Sequence, residues 1–277
     1  MSFFGLLFCN VHAQNPLVFN KTNLQSEDKW VVYPTKVEGT YAFGFIFIDP
    51  KDGLIFAFED TFKIDGNGKF ERIPSARIPN SGRAIVKIQP DETQLAEIPE
   101  LKFEELGIDK TPKWLVKFKE GENTAAYHYR RGYLFNEWKQ FDKALTYLET
   151  ADKLDPKYKG LQTELAFSYN ALGKHDKAEA ALKKAIKLDP NDCYALKELA
   201  YTYNSTDKLA KAEEIYKTMK NCEGQKYLME TAQNLAYRYF EKKDKKNFDK
   251  WASETRKYDT NPQYLKNVDE MEKQLKK

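Results

Sequence analysis

The chain has 277 residues, of which 41% are hydrophobic and 31% are charged. Its 13 Gly and 11 Pro exclude a collagen-like or low-complexity chain, and its 18 Phe and 17 Tyr argue against disorder throughout. The formal net charge of +3 is too balanced to indicate a nucleic-acid partner. Because no stretch of about 18 apolar residues occurs, we also expect no membrane-spanning helix.

Residues 1–13 resemble a secretory signal peptide in composition. Residues 3–11 are mostly apolar and uncharged, and Ala13 is a small residue at a plausible cleavage position. No Lys or Arg precedes the apolar run, so the basic end of a typical signal is missing. We expect export to a periplasmic or extracellular compartment. The alternative is an apolar N terminus on a cytosolic protein.

Residues 14–111 have the pattern of a small antiparallel β domain. Residues 40–48 are aromatic, β-branched and apolar on both faces, which indicates a central strand. A short helix is expected at 99–106, ended by Gly107. The turn-forming residues 65–68 predict a hairpin, and we expect further strands at 54–58, 61–64, 69–73 and 84–88. We recognise no known family in this domain.

Residues 112–124 predict a linking helix. Trp114, Leu115 and Phe118 provide its apolar side chains. We expect this helix to dock the β domain onto the helical region that follows.

A period of 34 residues organises the rest of the chain. Small residues and aromatic residues recur at this spacing, and so does an Asp-Pro pair that ends a helix. Small residues allow two helices to approach closely, and the aromatic rings fill the space between neighbouring pairs. The recurring sets are Gly132, Ala166 and Ala200; Ala144, Ala178 and Ala212; Phe135, Tyr169 and Tyr203; and Asp155-Pro156 and Asp189-Pro190.

These residues resemble the tetratricopeptide repeat (TPR) family, whose unit is a helix-turn-helix. The resemblance covers the repeats 125–158, 159–192 and 193–226, and a degenerate fourth pair follows at 228–241 and 248–258. It implies an α+β multidomain chain, in which the β domain precedes an all-α TPR-like solenoid over 125–260. Residues 261–277 predict a polar helix that caps the solenoid.

The sequence offers little for catalysis. His128 and His175 fall at repeat positions normally filled by packing aromatics, and no His or Cys cluster has zinc spacing. No Gly-rich phosphate loop occurs, so we expect neither enzymatic activity nor a cofactor or metal. The alternative is an enzyme whose site lies in the β domain, for which Glu59 and Asp60 are candidate carboxylates, with the repeats recruiting substrate. A structural role based on self-association is a further alternative.

In TPR proteins the concave groove commonly holds a peptide or a partner's helix, and the resemblance implies the same here. Helical geometry places two recurring rows on one face of the first helices: an aromatic row and an Asn row. The aromatics would supply contact area, and the Asn side chains would bind a peptide backbone. The competing interpretation is that the Asn row only terminates helices and that the aromatic row is packing between repeats. The predicted groove residues are Tyr129, Tyr133, Asn136, Thr163, Phe167, Asn170, Lys197, Tyr201 and Asn204.

Cys193 and Cys222 predict a possible disulfide. One begins the first helix of the third repeat and the other ends its second helix, so an antiparallel pair brings them together. An oxidising compartment would allow the bond, and the alternative is two half-buried thiols. Taken together, the sequence predicts an exported, non-catalytic scaffold that binds a peptide or partner segment.

Overall fold

The structure is a computed structural model that describes residues 17–34, 39–74, 84–222, 226–258 and 261–275. The predicted signal segment, residues 1–13, lies outside these ranges. The chain divides into two compact units, with the division between Glu120 and Gly121. Within the described ranges, every helix is too short or too polar to cross a membrane.

The first unit is built on an antiparallel sheet, as the sequence predicts. Strand order is β4-β3-β2-β1-β6, and β5 also pairs with β3. Two 3₁₀ turns, at Glu100–Lys102 and Lys113–Phe118, and the short helix α1 at Phe103–Leu106 complete the described part of this unit. The strands are β1 (Lys29–Tyr33), β2 (Thr40–Asp49), β3 (Gly53–Ile64), β4 (Phe70–Ile73), β5 (Ile85–Lys87) and β6 (Ala96–Glu97).

The sheet differs from the prediction at β3 and β1. The strands predicted at 54–58 and 61–64 form one continuous strand, because a register shift between Phe43 and Gly44 accommodates the extra residue. A side chain at Gly44 would place Cβ 2.4 Å from the carbonyl oxygen of Ala57, so glycine is required at the bulge. The sequence pattern predicts neither β1 nor the two-residue strand β6.

Aromatic side chains form the core of the first unit. Trp30 is buried, and its indole nitrogen donates to the Asp109 carbonyl at 2.8 Å. The rings of Trp114 and Phe118 lie 5.6 and 4.8 Å from that of Phe47. The segment predicted as a linking helix over 112–124 is therefore a shorter 3₁₀ helix, and its aromatic side chains belong to this core.

The second unit consists of paired antiparallel helices. Contacts join α2 to α3, α4 to α5, α6 to α7 and α8 to α9, and α10 packs against both α8 and α9. The helices are α2 (Ala125–Glu137), α3 (Phe141–Leu154), α4 (Leu161–Ala171), α5 (His175–Leu188), α6 (Cys193–Ser205), α7 (Leu209–Met219), α8 (Lys226–Glu241), α9 (Lys245–Thr255) and α10 (Pro262–Leu275). The helical repeat architecture predicted from the period of 34 is confirmed.

The recurring residues have the structural roles that their chemistry suggests. A Cβ at Gly132 would lie 2.4 Å from Leu148 Cγ, so the small residue lets α2 and α3 approach. Asp155 and Asp189 adopt extended backbone angles immediately after α3 and α5. Each carboxylate accepts a hydrogen bond from the backbone N–H two residues later, at 3.0 Å. The Asp-Pro pair thus ends the second helix of a repeat and starts the turn into the next.

Thr124 caps the first repeat helix, and replacing it by Ala should destabilise the second unit. Its hydroxyl accepts from the Tyr127 N–H at 3.2 Å, which satisfies one free donor of α2. We expect Thr124→Ala to cost about 1 kcal/mol in urea denaturation followed by circular dichroism at the helix band. Thr150→Ala is the control, because Thr150 lies inside α3 and its hydroxyl bonds back to the Thr146 carbonyl. Equal costs for the two variants would contradict the capping role.

Candidate functional site

The first helices of the repeats pack side by side. Contacts join α2 to α4, α4 to α6 and α6 to α8. Aromatic rings follow one another along this layer: the Phe167 ring lies 6.4 Å from that of Tyr194, which lies 6.0 Å from Tyr227. Tyr129 and Tyr133 are 6.5 Å apart on α2. We call the surface carrying these five aromatic residues the first-helix face.

The predicted aromatic row lies partly open to solvent. Tyr201 is 40% exposed, whereas Tyr133 and Phe167 are half-buried. The Tyr133 hydroxyl donates to the Glu137 carboxylate at 3.2 Å. Tyr194 and Tyr227 were not predicted from the sequence, because the residue 34 positions before Tyr194 is Gly160 and no recurrence marks the row.

The predicted Asn row has a different role from the one expected. Asn136 is buried, and its Nδ2 donates to the backbone carbonyl and the carboxylate of Glu164, at 3.1 and 2.8 Å. Its Oδ1 accepts from the Ser168 hydroxyl at 2.6 Å. Since both functions of the amide are used within the helical layer, Asn136 ties α2 to α4 and does not present an open site for a peptide backbone.

The next two Asn residues are buried in the same way. Asn170 donates to the Glu198 carboxylate at 3.0 Å and accepts from the Thr202 hydroxyl at 2.9 Å. Asn204 donates to the Asn234 carbonyl at 3.1 Å. The Asn row thus links successive repeats, a role that neither the prediction of peptide binding nor the alternative of helix termination gave it, and the open part of the predicted groove is aromatic.

Thr163 and Lys197, the remaining predicted groove residues, are equivalent positions in neighbouring repeats. Both are buried, and the Thr163 hydroxyl donates to Asp192 at 2.9 Å. The Lys197 ammonium pairs with the carboxylate of Glu198 and lies 3.7 Å from that of Glu230. It also lies 4.6 Å from the centre of the Tyr194 ring. Lys197 is therefore neutralised within the chain and does not present a free charge to a ligand.

Glu164 is a buried carboxyl group at the edge of the first-helix face. It is 7% exposed, and burial raises its pKa to about 7 against the opposing hydrogen bond from Asn136. The negative charges of Glu198, Glu137 and Asp192 raise the pKa further. Burial is the largest cause that raises the pKa of Tyr129, Tyr133 and Tyr194. The negative charge of Glu164 raises the pKa of each of them further.

A depression opens beside Thr163. It is lined by the turn after α3, the start of α4 and the loop between α5 and α6, including Tyr158, Asp189 and Asp192. Gly160 adopts φ 82°, and a Cβ there would lie 2.8 Å from the Tyr129 hydroxyl oxygen. This glycine therefore allows the ring of Tyr129 to lie over the first turn of α4, next to Tyr158 at 5.0 Å.

Cys193 and Cys222 are joined by a disulfide, with their Cα atoms 5.9 Å apart. Cys193 is the first residue of α6, and Cys222 follows the end of α7. The bridge therefore closes the third helical pair at the end where the Asp-Pro sequence of the earlier repeats is missing.

The candidate catalytic groups are engaged in structural contacts. The Arg72 guanidinium donates to Glu59 at 2.8 Å and to Asp60 at 3.0 Å, and all three side chains are largely buried. The His128 ring stacks 6.0 Å from Tyr147, and burial lowers its pKa. His175 Nδ1 lies 3.4 Å from the Asn170 side-chain oxygen. The geometry thus assigns these groups to packing and ion pairing.

Comparison with protein-family models gives two matches, both described as tetratricopeptide repeat. One covers residues 138–197 and the other residues 181–214. A search of curated proteins gives no match.

Several solved structures match part of this chain with TM-scores below 0.5. MamA is 20% identical, with 58% of this chain and 85% of that chain covered and a TM-score of 0.43. TTC0263, a TPR protein of Thermus thermophilus, is 18% identical over 55% of this chain and 84% of its own, with a TM-score of 0.46. YrrB, described as a TPR protein with an unusual peptide-binding site, is 16% identical over 51% and 73%, with a TM-score of 0.44.

Proposed function

We propose that the first-helix face of this chain holds a segment of a partner protein. The chain belongs to the tetratricopeptide repeat family through the repeats matched over residues 138–214. The repeats make the protein an interaction scaffold. The observation that carries the finer proposal is the continuous line of aromatic rings across α4, α6 and α8. Aromatic side chains give large contact area at low cost in conformational entropy, as in other binding surfaces.

Export is part of the same proposal. The apolar segment 1–13 has the composition of a signal peptide, and the Cys193–Cys222 disulfide is of a kind that persists in oxidising compartments. We therefore propose that the partner is met in the periplasm or outside the cell.

Removing the predicted aromatic row, which comprises Tyr133 and Phe167 of the first-helix face and the exposed Tyr201 of α6, tests the assigned face. We expect Tyr133→Ala, Phe167→Ala and Tyr201→Ala together to reduce capture of the partner from an envelope fraction by at least about tenfold, since each ring contributes contact area. Circular dichroism should show the same helix content as the unchanged protein. Leu154→Ala is the control, because Leu154 is 50% exposed at the end of α3 and lies outside the aromatic row. Unchanged capture by the triple variant would reject this face.

A further inference from the structure

Glu164 and Glu198 occupy equivalent positions, 34 residues apart, with the same local geometry. Each carboxylate accepts from the Asn of the preceding repeat, at 2.8 Å from Asn136 and at 3.0 Å from Asn170. In both repeats a hydroxyl four residues later completes the link to that Asn. Any difference between the two sites therefore comes from the neighbouring residues.

The residue that precedes each Glu decides whether its carboxylate has a cation as partner. Beside Glu198 stands Lys197, whose ammonium pairs with that carboxylate and lies over the Tyr194 ring. Beside Glu164 the equivalent residue is Thr163, which donates to Asp192 and brings no charge. Within the described residues Glu164 makes no ion pair, and its Oε2 accepts from the amide of Asn136. A carboxylate buried to this degree without a cation is costly.

The surroundings of Glu164 suit a cation. Tyr129 of α2 lies against the first turn of α4, since a Cβ at Gly160 would be 2.8 Å from its hydroxyl oxygen and the Gly160 carbonyl accepts from the Glu164 N–H at 3.1 Å. The Tyr133 ring lies 6.5 Å from that of Tyr129. The charge of Glu164 also raises the pKa of Tyr129, Tyr133 and Tyr194. Glu137, Asp192 and Glu198 add negative charge, and Arg130 contributes a positive charge that acts on Tyr129 and Tyr133. Aromatic faces together with a partly desolvated carboxylate bind ammonium and guanidinium groups.

We propose that the first-helix face binds a basic segment of its partner, and that a Lys or Arg side chain of this segment pairs with Glu164 as Lys197 pairs with Glu198. The inference rests on the proposed function, because it assumes that this face holds the partner. The depression beside Thr163, the residue that precedes Glu164, is lined by Asp189 and Asp192 and also by Lys157 and Lys159. An acidic segment is disfavoured, because its carboxylates would meet those of Glu164, Glu137 and Asp192.

Supplying the missing cation within the chain tests the proposal. Thr163→Lys recreates the Lys-Glu sequence of residues 197–198, and Thr163→Gln is a matched control that loses the same hydroxyl but adds no charge. The probes are three dodecapeptides of alternating sequence, Lys-Ala, Glu-Ala and Ser-Ala, with binding measured by fluorescence anisotropy on the full chain. We expect the Lys-Ala peptide to bind best, and Thr163→Lys to weaken it about tenfold relative to Thr163→Gln.

A second variant removes the carboxylate itself. Glu164→Gln keeps an acceptor for the Asn136 amide and should weaken Lys-Ala binding about tenfold, whereas Glu214→Gln, an exposed residue on α7, should change it less than about twofold. Binding should also weaken about fivefold from pH 8 to pH 6, because a pKa near 7 reduces the ionised fraction of Glu164 while the neutral form keeps about a tenth of the affinity. In Glu164→Gln this pH dependence should be absent.

The outcomes separate the two proposals. If the Ser-Ala or Glu-Ala peptide binds as tightly as Lys-Ala and loses affinity when the aromatic row is replaced by Ala, the face binds segments but the preference for cations is wrong. If Lys-Ala binding is the same in Thr163→Lys and Thr163→Gln, the position beside Glu164 is not where the cation lies. If no peptide binds, both proposals are overturned.

Discussion

Replacing Cys193 and Cys222 together by Ser is expected to lower the free energy of unfolding by roughly 3–4 kcal/mol on the chain-entropy model. The two cysteines are 29 residues apart in sequence, so the bridge closes a loop that contains all of α6 and α7. Without it the unfolded chain gains conformations, while the folded helical pair loses its covalent closure.

Thermal unfolding of the full chain, followed at the helix band, measures the effect. Asn221→Ser is the control, because it changes a neighbouring exposed residue without touching the bridge. Thiol titration of the denatured, unreduced exported protein should find no free thiol, because cleavage after Ala13 removes Cys9. Two free thiols, or equal midpoints for the double Ser variant and the control, would contradict the predicted role.

The disulfide also shows what the period of 34 could and could not predict. Asp-Pro pairs follow α3 and α5 directly, and the sequence located both helix ends from that chemistry. The third repeat has Glu223-Gly224 in place of this pair, and Cys222 replaces the Leu that precedes it in the other two repeats. The covalent bond to Cys193 thus constrains the helix end that lacks the Asp-Pro stop, and antiparallel pairing alone was enough to predict it as possible.

The role of the Asn row depends on contacts between repeats, which the geometry of a single helix does not predict. Helical angles correctly place Asn136 beside the aromatic row, but they carry no information about the next repeat, whose Glu164 and Ser168 cover the amide. A signal was present in the sequence, since Glu164 recurs as Glu198 and Ser168 is replaced by Thr202 at the same period. A polar set that recurs with the period of the repeat indicates contacts between repeats.

The β domain was harder to predict, since it has no internal repeat to supply a second example of each element. Residues 29–33, Lys-Trp-Val-Val-Tyr, have the β-branched and aromatic character of a strand, yet they stand alone between polar segments. The strand is defined by its pairing with β2 on one side and β6 on the other. Such long-range pairing is not encoded in the local pattern, which explains why β1 was missed.

Glu164→Gln should make the protein more stable at alkaline pH and leave it nearly unchanged near pH 4. The pKa of Glu164 is about 7 in the folded chain against an ordinary value of 4.5, because burial and neighbouring carboxylates disfavour the charged form. Below pH 4.5 the group is protonated in both states and carries no penalty. As the pH rises, the unfolded chain loses this proton first, so folding becomes progressively less favourable until the pH exceeds about 7.

Above about pH 7 the buried charge of Glu164 lowers the free energy of unfolding by on the order of 3 kcal/mol, at roughly 1.4 kcal/mol for each unit by which its pKa is raised. Gln lacks the ionisation but still accepts from Asn136, so the variant should not show this loss. Urea denaturation at several pH values between about 4 and 8 measures the difference, with Glu214→Gln as the exposed control. Parallel stability curves for the unchanged protein and Glu164→Gln would show that the carboxyl is already neutralised. A difference that grows with pH would instead show that the fold retains an unfavourable buried charge, which a bound cation from a partner would stabilise.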